Sequence, residues 1–411
     1  MSNYRNNHYV PQWYQKRFIN NKDSNNYYYL TLNPRKIINN GHSYWKSNPL
    51  YTGPSKCFAL KNLYTTYLGE LENTDVEQYF FGEVDITGQK ALEQIVNFNH
   101  GNFEVFHEHL NKFLHYLSLQ RLRTPKGLLY LQKLINSKEQ NDILYALQKL
   151  RALYCAYWAE SAWCIADACD SATKFIISDH PITVYNGAFF PQSLYCRARG
   201  DPEVWFSGTH TIFPLNIDKV LILTNLCWAR NPYGDPKQLR PNSVPFRDAI
   251  FDARQIQINR ILTEEEVIAL NFIIKQRAYK YIAGAEKEWL YPEKRISNKI
   301  WNKFQKTYLL MPDPRLIPYT TEVIIGDGKG KSTVFDAYGR TPNDLKYRKE
   351  SFANEFDSSY AFKGEFSRKF GPGYRGMGYE QVKANKKKDT DNEYKFHLSL
   401  EKEYKSKLNN K

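Results

Sequence analysis

Four side chains of this sequence stand out as able to do acid–base or phosphate chemistry: His8, Glu83, Arg121 and Asp179. His8 comes three residues before Pro11, where the pattern predicts a bend into a short helix. The imidazole would then lie beside the unpaired backbone donors of a helix start, a location that suits anion binding or proton transfer. The alternative is that His8 and Gln12 cap the turn while nearby aromatic residues fasten it to the core.

Two predicted helices each place a charged side chain on an apolar face. The first begins near Thr74, at a capping box, and Glu83 falls within its apolar face. A carboxylate there must be paired, hydrogen-bonded or protonated. The second helix covers residues 103–123, and Arg121 continues its apolar stripe. Arg121 suits binding of a carboxylate or phosphate, or else a purely structural ion pair with Glu83.

Asp179 and His180 occupy a sharp turn. The run 175–178 predicts a strand, Asp179-His180-Pro181 predicts a turn, and residues 182–185 predict a second strand. A polar group at a strand end is a common place for chemistry, and it is equally a common place for a turn-forming aspartate.

The elements that must position these residues indicate an α+β fold, with a mainly helical core and a small, mostly antiparallel sheet. Further helices are predicted at about 126–150 and 152–169, strands at 211–215 and 220–224, and a capped helix from Thr263 to about Ala283. Gly326 to Thr333 resembles a phosphate loop but has Ile325 at the required first glycine, so a β-hairpin turn is predicted instead.

The change of character after residue 300 predicts two parts, a main domain at 1–300 and a C-terminal appendage at 301–411. The appendage should contain a β-hairpin followed by a loop-rich basic segment, including Gly371 to Tyr379. That loop suits stacking on single-stranded bases or is a flexible surface segment. We expect the appendage to dock on the main domain without supplying the site, and it is the natural candidate for self-association into a homo-oligomer.

The chain of 411 residues carries a net charge of +14 that is not confined to one end. Such an excess favours contact with nucleic acid or another polyanion, the alternative being a mildly basic surface. No apolar run of about 18 residues predicts a membrane span. The start of the chain has no apolar signal region, and the six cysteines form no C-x-x-C pair, so we expect reduced thiols in a cytoplasmic protein.

The opening stretch HYVPQWYQKRF, from His8 to Phe18, resembles the signature of a bacterial family known as domain of unknown function 4238. Weaker motifs follow in order: Tyr64, Val76-Glu77 with Gly82-Glu83, Gln120 to Pro125, Phe175 to Pro181, Phe213 to Leu215, and Asn271 to Ile282. The resemblance extends to about residue 285 and implies His8, Gln12, Glu83, Arg121 and Asp179 as shared polar positions. We add Arg123 and His180, beside these positions, and with Gln12 they form the predicted substrate-binding set.

Three hypotheses follow. The first is a nuclease, acting on RNA rather than DNA and serving as an effector against phage, with His8 as general acid or base and Arg121 stabilising phosphate charge. Glu83 and Asp179 would be the acid partner or hold a divalent metal, although the sequence identifies no cofactor. The second is a non-catalytic sensor or partner-binding protein that recognises a nucleotide or phosphate. The third is architectural, with these polar residues pinning the N-terminal segment to the core.

Overall fold

The computed structural model describes residues 6–20, 25–34, 36–39, 42–45, 48–64, 66–68, 71–73, 81–230, 232, 234–239, 256–306, 309–312, 322–326, 330, 332–336 and 341–343. The fold is α+β, as predicted. The α-helices are α1 (Gln12–Gln15), α2 (Gly82–Val96), α3 (Phe103–Leu122), α4 (Pro125–Ile135), α5 (Gln140–Ala159), α6 (Leu194–Arg199), α7 (Leu226–Arg230) and α8 (Glu264–Arg277).

The strands are short and mostly antiparallel. They are β1 (Asn6–His8), β2 (Tyr27–Thr31), β3 (Lys36–Asn39), β4 (His42–Trp45), β5 (Leu50–Thr52), β6 (Ala59–Lys61), β7 (Thr66–Leu68), β8 (Leu71–Asn73), β9 (Ser161–Asp167), β10 (Ile177–Ser178), β11 (Thr183–Tyr185), β12 (His210–Pro214), β13 (Lys219–Asn225), β14 (Gln257–Ile261), β15 (Tyr281–Gly284), β16 (Glu322–Gly326) and β17 (Ser332–Asp336).

Two sheets organise the described residues. The larger has the order β11-β12-β13-β9-β14 and is antiparallel except for the parallel pair β14–β9. The smaller has the order β10-β15-β2-β5 and is antiparallel throughout. The predicted strands at residues 175–178 and 182–185 therefore exist, but they join different sheets. As a result, Asp179 and His180 lie at the crossing from one sheet to the other.

Helices α2 to α5 pack on one another, and α3 and α5 also contact the larger sheet. The predicted apolar stripe of α3 is buried, and Phe113 lies against Trp163 of β9 and Phe213 of β12 at ring distances of 5.9 and 6.4 Å. The C-terminal end of α3 is more polar but equally covered, since Gln120, Arg121 and Arg123 are all buried. Burial of charged groups needs compensating partners, and these partners form the site described below.

The N-terminal stretch, from His8 to Phe18, packs between α3 and the larger sheet, and we call it the N-terminal plug. Tyr14 stacks on Phe213 at 5.3 Å, and its hydroxyl donates to the carbonyl of Pro214 at 2.5 Å. Gln120 of α3 donates to the carbonyl of Tyr9 at 2.9 Å. The predicted bend and short helix after Pro11 are confirmed, because α1 begins at Gln12. The unusual aromatic content of this stretch is thus explained by core packing.

The helix predicted at 126–150 is broken at residues 136–139, between α4 and α5. Two further predicted helices are wrong at their C-terminal ends. The helix predicted at 152–169 continues α5 only to Ala159, and Ser161–Asp167 is β9, hydrogen-bonded to β13 and β14 on its two sides. The helix predicted to reach Ala283 ends at Arg277, although its capping box at Thr263 is confirmed. Residues 281–284 pair with β2 and β10 instead. In both places, pairing with strands remote in sequence overrides local helical periodicity.

The first residues of the predicted appendage belong to the same hydrophobic core as the residues before 300. Trp301 and Phe304, in the 3-10 helix Trp301–Lys306, are buried, and the Tyr185 hydroxyl donates to the Trp301 carbonyl at 2.6 Å. The predicted hairpin is confirmed as the antiparallel pair β16–β17. Residues 344–411, with the predicted Gly371 to Tyr379 loop, lie outside the described residues.

Two further observations concern the cysteines and the composition of the helices. All six cysteines are free thiols. Among the described helices, none combines the length and apolar composition that crossing a membrane requires.

Candidate functional site

Three cationic side chains and the imidazole of His180, from four segments of the chain, meet around one carboxylate, that of Asp201. Lys126 at the start of α4 places its ammonium nitrogen 2.6 Å from Asp201 Oδ1, and Arg277 at the end of α8 places Nη1 3.6 Å from the same oxygen. Arg121 Nη1 and His180 Nε2 lie 3.8 and 3.4 Å from Asp201 Oδ2. Asp201 is 6% exposed, so the cluster is shielded from water. We call these five residues the Asp201 cluster.

The cluster keeps Asp201 ionised. Burial alone would raise the pKa of this carboxyl, but the charges of Lys126, Arg277 and Arg121 outweigh burial and hold the pKa well below its usual range. The same burial lowers the pKa of Lys126, and the neighbouring charges of Arg277 and Arg121 lower it further, against the attraction of Asp201. One carboxylate therefore compensates three permanent or near-permanent cations, which leaves the cluster with excess positive charge.

His180 has a defined hydrogen-bonding pattern. Its Nδ1 lies 2.6 Å from Thr124 Oγ1, and its Nε2 lies 3.2 Å from Arg121 Nη1. Asp201 Oδ2 lies farther from Nε2, at 3.4 Å, and the Thr124 hydroxyl donates to the Arg121 carbonyl. Because a guanidinium only donates and is the nearer partner of Nε2, we assign the proton to Nδ1, which donates to Thr124, and the lone pair to Nε2. Burial lowers the pKa of His180 to about 4, and the cations Lys126 and Arg121 act in the same direction. His180 is consequently neutral at physiological pH.

A cavity of about 210 Å³ opens beside this cluster. Its lining includes Arg121, Lys126, His180 and Asp201 together with two exposed cations, Lys133 and Arg199. Four cationic side chains and one carboxylate give the lining a net charge of +3 with His180 neutral. Such an arrangement attracts an anion, and a phosphate or carboxylate is the ligand that arginine and lysine bind best in a partly buried site.

The start of α4 forms part of the cavity wall, because Lys126 and Gly127 line the cavity. Thr124 is the N-cap, and its hydroxyl accepts the N–H of Gly127 at 3.2 Å. Pro125, at the first helical position, has no N–H. The N–H of Lys126 therefore has no partner within the helix, and it lies at the positive end of the helix dipole. The sequence Thr-Pro-Lys-Gly thus turns a helix start toward the cavity.

A second layer of polar groups supports Arg121. The Tyr130 hydroxyl donates to Glu203 Oε2 at 2.8 Å, and Glu203 is buried. The Nη1 of Arg121 also donates to the carbonyl of Ile182 at 3.0 Å. The bond to the Ile182 carbonyl holds the guanidinium at the floor of the cavity, where the Arg121 side chain is only 7% exposed, and the charge of Glu203 attracts it.

Of the seven predicted site residues, the structure brings Arg121 and His180 together at the cavity. His8 lies on β1, half-buried, with Nε2 3.2 Å from the Ser55 carbonyl, and Gln12 is half-buried at the start of α1. Neither residue lines the cavity. Glu83 is exposed on the first turn of α2, so its predicted burial within an apolar face is wrong. The helix start predicted at Thr74 lies outside the described residues. The acid that approaches Arg121 is Asp201, and not Glu83.

Asp179 is adjacent to the cavity but points away from it into the backbone. Its Oδ1 accepts the N–H of Tyr279 at 2.8 Å, and its Oδ2 accepts those of Lys280 and Tyr281 at 2.7 and 3.0 Å. Burial raises the pKa of Asp179 to about 6, although the three N–H donors favour the carboxylate. These bonds fasten the chain after α8 beside the turn that carries His180. Asp179 therefore positions two walls of the cavity, because Tyr279 also lines it.

Arg123 belongs to a separate structural network. Its Nε donates to Gln120 Oε1 at 3.0 Å, and its Nη2 donates to Asp85 Oδ1 at 2.7 Å. The hydroxyl of Tyr64 donates to the Arg123 carbonyl at 2.8 Å. With Gln120 bound to the carbonyl of Tyr9, this network connects α2, α3 and the N-terminal plug. This part of the structure fits the architectural hypothesis.

Sequence reasoning missed Lys126, Asp201 and Arg277. Lys126 directly follows the Thr124-Pro125 helix start and Arg277 lies in the last turn of α8, but neither position indicates an ion pair. Asp201 lies between Gly200 and Pro202, in the connection from α6 to β12, where no sequence pattern indicates a site. Among the described residues, no three His, Cys, Asp or Glu side chains converge in a geometry that could hold a metal ion.

The resemblance noted in the sequence is confirmed for the N-terminal third of the chain. Residues 6–151 match the family described as "Protein of unknown function (DUF4238)". The matched segment contains Arg121 and Lys126, whereas His180, Asp201 and Arg277 lie beyond it. No curated protein and no solved structure matches the chain.

Proposed function

We propose that the protein binds a phosphate-bearing ligand in the cavity beside the Asp201 cluster, and that nucleic acid, RNA in the first place, is the ligand class. The observation that carries the proposal is the excess of buried positive charge around Asp201. Lys126 uses two of its three ammonium protons on Asp201 Oδ1 and the Arg277 carbonyl, each at 2.6 Å. The third ammonium proton remains for a ligand.

Three features support a phosphate in this position. The floor cations are desolvated, so their attraction for an anion is stronger than at the surface. Lys133 and Arg199 add exposed positive charge at the mouth. The net charge of +14 would draw a polyanion to the protein as a whole. The charge of the whole surface would therefore attract the polyanion, and the cavity would make the specific contact with one phosphate.

Replacing the two mouth cations tests this assignment. The double variant Lys133→Gln/Arg199→Gln is expected to weaken binding of short single-stranded RNA by about tenfold or more, because charge-assisted contacts are lost. Log affinity falls as log salt concentration rises, and this slope should become less steep by about one because fewer phosphates are contacted. Fluorescence anisotropy of labelled RNA across a salt series measures both quantities.

A matched control keeps the net charge equal. Lys90→Gln/Lys112→Gln removes two exposed cations from α2 and α3, outside the cavity lining. If this control weakens RNA binding as much as the mouth variant does, the cavity is not the binding site. Because all four positions are exposed, neither variant should change the melting temperature.

Cleavage of the bound phosphodiester is a second candidate, favoured by one observation. His180 is neutral, and its Nε2 lone pair faces Arg121 at the cavity floor. If a phosphate draws the guanidinium away, Nε2 becomes available as a general base, while Arg121 stabilises the developing charge. In this form, His180 takes the catalytic role that the sequence suggested for His8.

RNA cleavage by purified protein tests this candidate. The expected result is cleavage of labelled RNA by the wild type, lost in His180→Gln and retained in His8→Gln. RNA and DNA left intact with and without Mg²⁺ or Mn²⁺, by protein that binds RNA, would remove catalysis and leave binding. An effector role in bacterial defence against phage stays a prediction of the sequence analysis.

A further inference from the structure

We infer that the cavity takes a terminal phosphate monoester, the end of a nucleic-acid chain, in preference to an internal phosphodiester. This inference rests on the proposed function and specifies its ligand. The protein would then recognise the phosphorylated ends of nucleic-acid strands. Three independent properties of the cavity lead to it: its size and depth, its charge, and the donors that remain free.

The cavity is small, and the residues at its floor are buried. A cavity of about 210 Å³ is smaller than the roughly 300–1,000 Å³ of pockets that enclose a whole drug-sized ligand, so it fits a headgroup. Its floor residues Arg121, His180 and Asp201 are 6%, 2% and 6% exposed. An internal diester continues into a chain on both sides, and both chains would have to leave the buried floor of this small cavity. A terminal phosphate has one.

Charge gives the second argument. A phosphate monoester carries a charge of about −1.5 to −2 near neutral pH, whereas a diester carries only one negative charge. The lining has a net charge of +3 with His180 neutral. The second negative charge of a monoester is worth most at a desolvated floor, where Lys126 is incompletely compensated by Asp201. The cavity therefore matches a dianion better than a monoanion.

The free donors give the third argument. The ammonium of Lys126 has one proton left, and its backbone N–H, at the start of α4, has no partner within the helix. Lys133 and Arg199 approach from the mouth. A monoester presents three terminal oxygens to such donors, and a diester only two. Leu129, 39% exposed on the same helix, gives the mouth an apolar surface for the first sugar of the chain.

The test compares four RNAs of the same sequence: a linear strand with a 5′-phosphate, one with a 3′-phosphate, one with hydroxyls at both ends, and a circle. Anisotropy or competition assays with the full-length protein measure each affinity. We expect one phosphorylated strand to bind about tenfold or more tightly than the hydroxyl-ended strand. The circle should bind like the hydroxyl-ended strand, and inorganic phosphate should compete with the preferred strand.

Variants link the preference to the cavity. Lys133→Gln/Arg199→Gln should abolish the difference in affinity between the phosphorylated and hydroxyl-ended strands. Lys90→Gln/Lys112→Gln should preserve this difference. Equal wild-type affinity for all four RNAs would overturn end recognition and leave the proposed RNA binding intact. No binding of any of the four would overturn the proposed function itself, and the inference with it.

Discussion

Asp201→Asn is expected to lower the free energy of unfolding by about 3 to 5 kcal/mol, the range for breaking a buried charge pair. The substitution keeps the shape of the side chain but removes the charge that compensates Lys126, Arg121 and Arg277. It also presents an amide N–H₂ group to cations that only donate. Chemical denaturation at neutral pH measures the change.

The control for Asp201 is Asp218→Asn. Asp218 pairs with Lys174 at 3.0 Å, but its side chain is 43% exposed, so the expected loss is under about 1 kcal/mol. Equal effects of the two substitutions would show that the Asp201 cluster contributes no more than a surface pair. If Asp201→Asn alone does not fold, the double variant Lys126→Met/Asp201→Asn removes one uncompensated cation and should be more stable than the single variant.

Added phosphate connects this stability experiment with the proposed ligand. In Asp201→Asn, a bound anion would replace the missing carboxylate as the partner of the floor cations. We therefore expect inorganic phosphate to raise the melting temperature of this variant more than chloride does at equal ionic strength. Identical effects of phosphate and chloride would count against an anion site at the cluster.

Acidification is expected to destabilise the protein by several kcal/mol between about pH 6.5 and pH 4, because two buried histidines must remain neutral. Burial lowers the pKa of His180 to about 4 and that of His210 to about 3. In the unfolded chain, both take up a proton near pH 6.5. The unfolded state thus binds more protons in this window, and stability that is complete above pH 6.5 is lost as pH falls.

The magnitude follows from the size of the shifts. One pKa unit corresponds to about 1.4 kcal/mol, so each histidine accounts for roughly 3 kcal/mol by pH 4. Asp179 acts in the opposite direction. The folded-state pKa of Asp179 is raised to about 6. Its contribution to stability is therefore complete below the pKa that Asp179 has in the unfolded chain, and it is lost as the pH rises through 6. Part of the acid destabilisation is consequently offset.

Single substitutions isolate the histidine contribution. In His210→Asn, the free energy of unfolding should depend less steeply on pH below 6.5, by up to one proton. The exposed His107 provides the control, since His107→Asn leaves the buried groups unchanged. Urea denaturation at several pH values between about 7 and 4 gives the slopes. The prediction is wrong if His210→Asn and the wild type have the same slope, and this comparison holds even if the variant is less stable overall.

Local pattern determined much of this fold in advance. The apolar stripe of α3, the capping box at Thr263 and the strand pairs β12–β13 and β16–β17 follow from side-chain periodicity and turn chemistry over a few residues. The same local reasoning indicated that Arg121 ends an apolar stripe and that Asp179 and His180 occupy a turn between strands. These features depend on neighbours within about one turn of helix or one strand, so the sequence alone specifies them.

The partners of these residues were decided by tertiary structure alone. Arg121 approaches Asp201, eighty residues away along the chain, while Glu83, the acid suggested by the helical wheel, is exposed. Ser161–Asp167 became a strand because β13 and β14 supply its hydrogen bonds. Arg277 reached the cluster because α8 ends where Asp179 binds the following backbone. Coulomb interactions and strand pairing depend on distance and burial in three dimensions, and residues far apart in sequence carry no local signal of either.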